Sequence, residues 1–179
     1  MPKEPAANSG DFKNKSPLET SRSDFNWVIA SRNQVHHIIS RLLDLDVQGL
    51  AKSISTGMPI EFAVALFDEL SMSRREANDM LGLKDSSFSR KASASTPLNP
   101  EEAERVLDLA RLLAITQAHA PSTADGRQRA SRHLKLWLYG AHPKLNMGAP
   151  RAQMVFGFGR AQAVALLQHD FAQGRAKVI

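Results

Sequence analysis

The chain has 179 residues, 42% hydrophobic and 23% charged, with a formal net charge of +5, which is enough apolar material for one or two small packed domains. It has no cysteine, which excludes a disulfide scaffold and a Cys-ligated zinc or iron–sulfur centre. No apolar run reaches the roughly 18–20 residues that span a bilayer, and Met1-Pro2-Lys3-Glu4-Pro5 lacks the apolar core of a signal peptide, so the expectation is a soluble cytoplasmic protein with no membrane partner.

Residues 1–23 are rich in Lys, Ser, Asn, Pro and Gly and show no apolar period, which predicts a disordered arm. From Asp24 the pattern changes. Phe25, Trp27, Val28, Ile29, Val35, Ile38, Ile39, Leu42, Leu43 and Leu45 are spaced for helix, with Arg32-Asn33 as an interruption. Gly57-Met58-Pro59 punctuates, and Pro59 suits a first helical turn, where a missing N–H is no loss. Ile60, Val64, Phe67 and Leu70 give the next helix its apolar stripe.

Ser73-Arg74-Arg75-Glu76 is a capping box, followed by apolar Ala77, Met80 and Leu81. Gly82 is placed to end that helix in the left-handed conformation. Asp85 is the expected cap of a short helix through Phe88 to Ala92, with Lys91–Thr96 as a polar linker. Asn99-Pro100-Glu101-Glu102 starts another helix with a cap, a proline and a glutamate in their favoured places. Leu107, Ala110, Leu113, Ala114 and Gln117 recur at helical spacing, widened by Val106 and Leu109.

Pro121–Gly126 breaks the pattern. Arg127–Tyr139 reads as a basic amphipathic helix with Ala130, Leu134, Trp137 and Leu138 on one side. Gly140–Pro150 is turn-rich, two short helices are expected at Arg151–Phe156 and Arg160–Phe171, and Gln173–Ile179 is a tail. With no strand pairing and no repeat, the expected fold class is all-α.

The strongest local motif is the pair of short helices joined at Gly82. A DNA-reading helix-turn-helix needs a capped first helix, a sharp turn, apolar locks (here Leu81, Leu83 and Phe88) and a second helix with a small polar outer face. Ser86, Ser87 and Ser89 supply that face, and Lys84, Arg90 and Lys91 are expected to hold phosphates at its ends. Four residues before the turn glycine, where such motifs prefer Ala or Gly, stands Asn78. Arg90 is the one guanidinium on the second helix, so a single module would discriminate weakly and a dimer or higher assembly is needed. The bland alternative is an ordinary helical hairpin with solvated serines.

Charge is uneven. Residues 126–179 carry Arg127, Arg129, Arg132, Lys135, Lys144, Arg151, Arg160, Arg175 and Lys177 against Asp170 alone, which suits an anionic partner, nucleic acid or acidic protein.

These features together resemble the Xre/MbcA/ParS family of antitoxins, partners of RES-domain toxins. The resemblance covers residues 48–179. It starts near Gly57-Met58-Pro59, runs through the helix-turn-helix and Pro97-Leu98-Asn99-Pro100-Glu101-Glu102-Ala103-Glu104-Arg105-Val106-Leu107, and continues through Trp137-Leu138, Pro143, Leu145, Pro150, Met154-Val155, Gly159, Val164-Leu166-Leu167 and Gly174. The family's paired glycines after Leu145 are Asn146-Met147 here, so the turn is expected to use Gly148 or Asn146. The Thr often seen before the mid-domain Gly is missing, and the 121–126 segment is longer than the family's.

After the compositional arm (1–23), the resemblance implies an N-terminal helical dimerising region (24–56), an Xre-like helix-turn-helix core (57–120) and a small helical toxin-binding domain with its tail (121–179). It implies an antitoxin that binds a RES-domain toxin encoded nearby, plugs its NAD pocket and binds its own operator DNA, as a homodimer within a hetero-oligomer. The tail Arg175–Ile179, with two cations, an apolar end and a carboxylate, fits a pocket that accepts an anionic dinucleotide. The expected toxin contacts are Arg132, Lys135, Trp137, Arg151, Arg175, Lys177, Val178 and Ile179, although Trp137 also reads as a core anchor.

No enzyme is expected. His36-His37 point about 100° apart on a helix and cannot readily share a metal. His119, His133, His142 and His169 lack ligand-type partners one turn away, and Gly157-Phe158-Gly159 lacks the spacing of a phosphate loop. No metal site and no cofactor are predicted. The alternative function is a stand-alone helix-turn-helix transcription regulator whose C-terminal half serves dimerisation or effector binding.

Overall fold

The structure, a computed structural model, describes Trp27 and residues 32–178. The predicted arm, Phe25, Val28, Ile29 and Ile179 lie outside the described residues. Among the described residues the chain is entirely helical: α1 (Arg32–Arg41), α2 (Val47–Ser55), α3 (Ile60–Glu69), α4 (Arg74–Leu81), α5 (Asp85–Ser93), α6 (Pro100–Ala118), α7 (Ala124–Tyr139) and α8 (Gly157–Ala172), with 3-10 turns at Pro143–Leu145 and Pro150–Gln153. No single helix among them is long and apolar enough to cross a membrane.

The centre of the molecule is α6. Asn99 caps it, accepting from the Glu102 N–H at 2.8 Å while Glu102 reaches back to the Asn99 N–H at 3.0 Å. Leu112, Leu113, Ala114, Ile115 and Thr116 are consecutive and all buried, so this stretch is covered on every side. The covering comes from α1, α2, α7 and α8, all packed on α6. Val35, Ile38 and Ile39 of α1 and Leu42 just after it are buried, and the buried stripe of α3 includes Phe62, Leu66 and Phe67. The Trp27 ring packs 4.9 Å from that of Phe62, and its indole N–H donates to the Ser53 carbonyl at 2.9 Å.

One hydrophobic core runs from Trp27 to Ala176. The expected boundaries at 56/57 and 120/121 fall in connecting turns, yet the core crosses both.

Several elements differ from the sequence expectation. Helix α2 has no counterpart in the sequence expectation, although Val47, Leu50, Ala51 and Ile54 recur at helical spacing and Asp46 caps it by accepting from Gly49 N–H at 2.7 Å. Helix α7 starts at Ala124 and not Arg127, because the Thr123 hydroxyl caps it at Gly126 N–H. Gly126 fits there because a Cβ would sit 2.0 Å from the Pro121 carbonyl oxygen. The expected helix at Arg151–Phe156 is the 3-10 turn Pro150–Gln153, and α8 begins at Gly157, three residues before Arg160. Of the two residues expected to make the loop turn, Asn146 does so (φ +51°), joined by Met147 (φ +65°), while Gly148 does not take a positive φ.

Candidate functional site

The helix-turn-helix is built from local signals. The Ser73 hydroxyl accepts from Glu76 N–H at 3.2 Å, and Glu76 accepts from Ser73 N–H at 3.3 Å. Helix α4 then runs to Gly82, which is left-handed at φ +64°. The Leu83 N–H returns to the Asn78 carbonyl at 2.8 Å and Gly82 N–H to Asp79, closing the helix end. Arg105 of α6 donates to the Leu81 carbonyl (3.2 Å) and the Gly82 carbonyl (2.6 Å) and pairs with Glu101, setting a cation on the C-terminal end of α4. Leu81, Leu83 and Phe88 are buried, and Phe88 stacks on Phe67 of α3 at 5.5 Å, which seats α5.

Asp85 was expected to cap α5. It is instead the first helical residue, Lys84 holding the cap position without a side-chain bond. The Asp85 carboxylate accepts from the Asn78 amide at 2.9 Å. Asn78 is therefore a buried link between α4 and the start of α5, where a small residue was expected.

The six expected DNA contacts divide into two groups. Lys84, Ser86, Ser89 and Arg90 are exposed on the outward side of α5. Ser87 and Lys91, one turn apart, are half-buried. Ser87 borders a shallow recess with Glu101 and Glu102, and the Lys91 ammonium is paired with Glu102. Lys91 thus already has a carboxylate partner, in a place where a phosphate partner was expected. Arg74 and Arg75, which the sequence reading passes over, are exposed in the first turn of α4.

The expected toxin contacts are more dispersed. Arg132, Arg151, Arg175 and Lys177 are exposed, Val178 is half-buried against the core, and Ile179 lies outside the described residues. Lys135 donates to the Ser71 carbonyl at 2.6 Å and lies 3.4 Å from Glu76. The Arg151 guanidinium lies 4.3 Å over the Tyr139 ring, and the Tyr139 hydroxyl donates to Glu76. That bond, helped by Lys135, holds the Glu76 carboxyl below its ordinary range; burial, then the bond to Glu76, pushes the Tyr139 hydroxyl up. Lys135 and the Tyr139–Arg151 pair therefore fasten α7 to the start of α4.

Trp137 joins a polar cluster that sequence reasoning missed. The buried Asp170 accepts from the Trp137 indole N–H at 3.0 Å and from His142 at 2.8 Å, both on Oδ2. The Asp170 carbonyl accepts from the N–H groups of Arg175 (2.8 Å) and Ala176 (3.2 Å), so the start of the tail is docked and Ala176 is buried. An open cleft of about 750 Å³ lies over this cluster, between His133, Leu136, Trp137, His142 and Pro143 on one side and Arg175 and Ala176 on the other. Burial holds the His133 imidazole below its ordinary value, favouring the neutral ring. The one signal was compositional: Asp170 is the sole acid in a basic stretch, and a lone acid there is a candidate for burial as a structural acceptor.

Arg160, another of the basic residues, is buried on α8. Its Nε donates to Asp108 of α6 at 2.8 Å, with Glu104 at 3.8 Å. Part of the C-terminal positive charge is thus neutralised inside the fold. Among the described residues no group of three His, Asp or Glu side chains is placed to hold a metal ion.

Residues 49–111 match the family model described as the antitoxin Xre-like helix-turn-helix domain. The matched span runs from α2 into α6 and contains α4, the Gly82 turn and α5. A comparison with curated proteins gives no match. The chain thus carries an Xre-like helix-turn-helix domain of antitoxin type on an all-α fold, and that family implies a toxin partner and DNA binding in general terms.

Proposed function

We propose that this chain is a DNA-binding antitoxin that neutralises a RES-domain toxin and represses its own operon. The observation that carries the reading is the capped α4–Gly82–α5 unit, inside a span matching an antitoxin domain, with Lys84, Ser86, Ser89 and Arg90 left exposed on α5. Exposed cations at the ends of a small polar helix suit phosphate anchoring with the serines at base edges. Arg90 alone offers bidentate reading, so two copies are needed for useful specificity.

The RES-type partner rests on the resemblance of residues 48–179. Support comes from Arg132 on α7 and Arg175 and Lys177 in the tail, all three exposed, with Arg175 lining the cleft, where an acidic partner can meet them. Arg175–Ile179 would enter the mouth of the toxin's NAD pocket and exclude the dinucleotide. No chemistry by this chain is required.

The test is co-expression with the neighbouring RES-domain protein, following growth and cellular NAD. The full chain should hold NAD at its normal level. A chain ending at Gly174 should leave NAD falling. Equal protection by both would remove the occlusion step. No protection by the full chain, with promoter binding retained, would favour a stand-alone regulator.

A further inference from the structure

Asn78 is fully buried on α4, four residues before the turn glycine, where helix-turn-helix motifs prefer a small side chain. Its amide nitrogen donates to Asp85 Oδ1 at 2.9 Å, and because a carboxylate only accepts, the nitrogen end of the amide must face Asp85. The other end, Asn78 Oδ1, is buried and has no hydrogen-bond partner among the described residues. A polar group left half-satisfied inside the fold costs stability relative to an apolar one. Asn78 is therefore poorly explained as a stabilising residue.

Its bond has a specific address. The turn is already fixed by the Gly82 closure and by Arg105 on the Leu81 and Gly82 carbonyls. The middle of α5 is fixed by Phe88 on Phe67. What remains is the first turn of α5, and Asp85 is its first residue, next to Ser86. In a helix-turn-helix, the N-terminal residues of the second helix are the ones that meet base edges. We propose that Asn78 is a positioning residue for the recognition helix: its clamp on Asp85 fixes how the first turn of α5 is presented, and so sets discrimination between DNA sequences. This inference rests on the reading of α5 as the DNA-reading helix.

A positioning role and a merely structural one separate experimentally. The full chain, Asn78→Ala, Asp85→Ala and Asp85→Asn are compared on two probes: a duplex taken from the DNA immediately upstream of this chain's own gene, and a scrambled duplex of equal length. Thermal unfolding is recorded for each protein. Asn78→Ala should unfold at the same or a higher temperature. Its preference for the upstream duplex should fall at least about fivefold, the low end of what one base contact is worth, with binding to the scrambled duplex unchanged. Asp85→Ala, which cuts the bond from the exposed side, should lose the same preference. Asp85→Asn keeps an acceptor and should retain it, which separates the clamp from simple loss of negative charge near DNA. An undiminished preference in Asn78→Ala and Asp85→Ala overturns the proposal while leaving DNA recognition by α5 intact. So does an equal fall on both probes accompanied by a lower unfolding temperature. If the unaltered chain shows no preference for the upstream duplex, the DNA reading fails and this inference fails with it.

Discussion

The helix-turn-helix and the C-terminal region are held together by different kinds of contact. In the first, most polar bonds are local: Ser73 with Glu76, Gly82 with Asp79, Leu83 with Asn78, Asn78 with Asp85. In the second they span long stretches of chain: Arg160 to Asp108, Trp137 and His142 to Asp170, Lys135 to Ser71 and Tyr139 to Glu76. The lesson is about independence. A unit built from local caps can keep its shape as a module, but here Arg105 of α6 also grips the turn, and Tyr139 and Lys135 also grip the start of α4. Helix α6 thus carries α7 and α8 and, through Arg105 and the Lys91–Glu102 pair, also touches the helix-turn-helix.

The sharpest way to break that comparison is to remove one side. A chain ending at Ala120 should lose cooperative unfolding altogether, because α6 would expose the side that α7 and α8 cover; a retained cooperative transition in urea would show that the front region is self-sufficient. Next in size, Arg160→Ala should cost about 3 kcal/mol in denaturant unfolding, the low end for breaking a buried ion pair, since Asp108 keeps some solvent contact. Trp137→Phe keeps an aromatic ring, though a smaller one, and deletes one of the two donors to Asp170; about 1–3 kcal/mol is expected from leaving a buried carboxylate short of a donor.

The pH dependence sharpens the same contrast. The lowered Glu76 carboxyl contributes stability that is present above its unfolded value of 4.5 and lost as pH falls through the folded value. Tyr139→Phe should therefore destabilise at neutral pH and flatten the acid limb below pH 4.5, read by thermal unfolding across pH. The lowered His133 acts higher on the scale: stability should start to fall as pH drops through 6.5, where the unfolded chain takes up a proton and the folded one does not. His133→Phe should remove that early slope. The smallest expected effect is that of Lys91→Ala on DNA binding, because Glu102 already neutralises the ammonium.

Legibility in the sequence followed contact range. The capping boxes at Ser73 and Asn99, the turn at Gly82 and the buried Leu81, Leu83 and Phe88 are encoded within a few residues of one another, and periodicity with cap chemistry finds them. Helix α2 was equally legible, from the Asp46 cap and the period of Val47, Leu50, Ala51 and Ile54, and Gly49 and the buried Ser53 within it mask a short two-turn helix. The C-terminal charges were only partly legible for a related reason: Arg160 is buried against Asp108, and Lys135 and the exposed Arg151 engage Glu76 and Tyr139, partners that lie far away in the chain or on another element. The outward face of α5 was legible except for Ser87 and Lys91, whose flank is set by where α6 begins.

The salt dependence of binding to the upstream duplex tests the outward face of α5 most directly. Each phosphate that a side chain neutralises on B-DNA adds about 0.9 to the steepness of log affinity against log salt. Arg90→Ala is predicted to lower the slope by that amount, with Lys91→Ala close to the unaltered chain. An unchanged slope in Arg90→Ala, or an equal drop in both variants, would contradict the assignment.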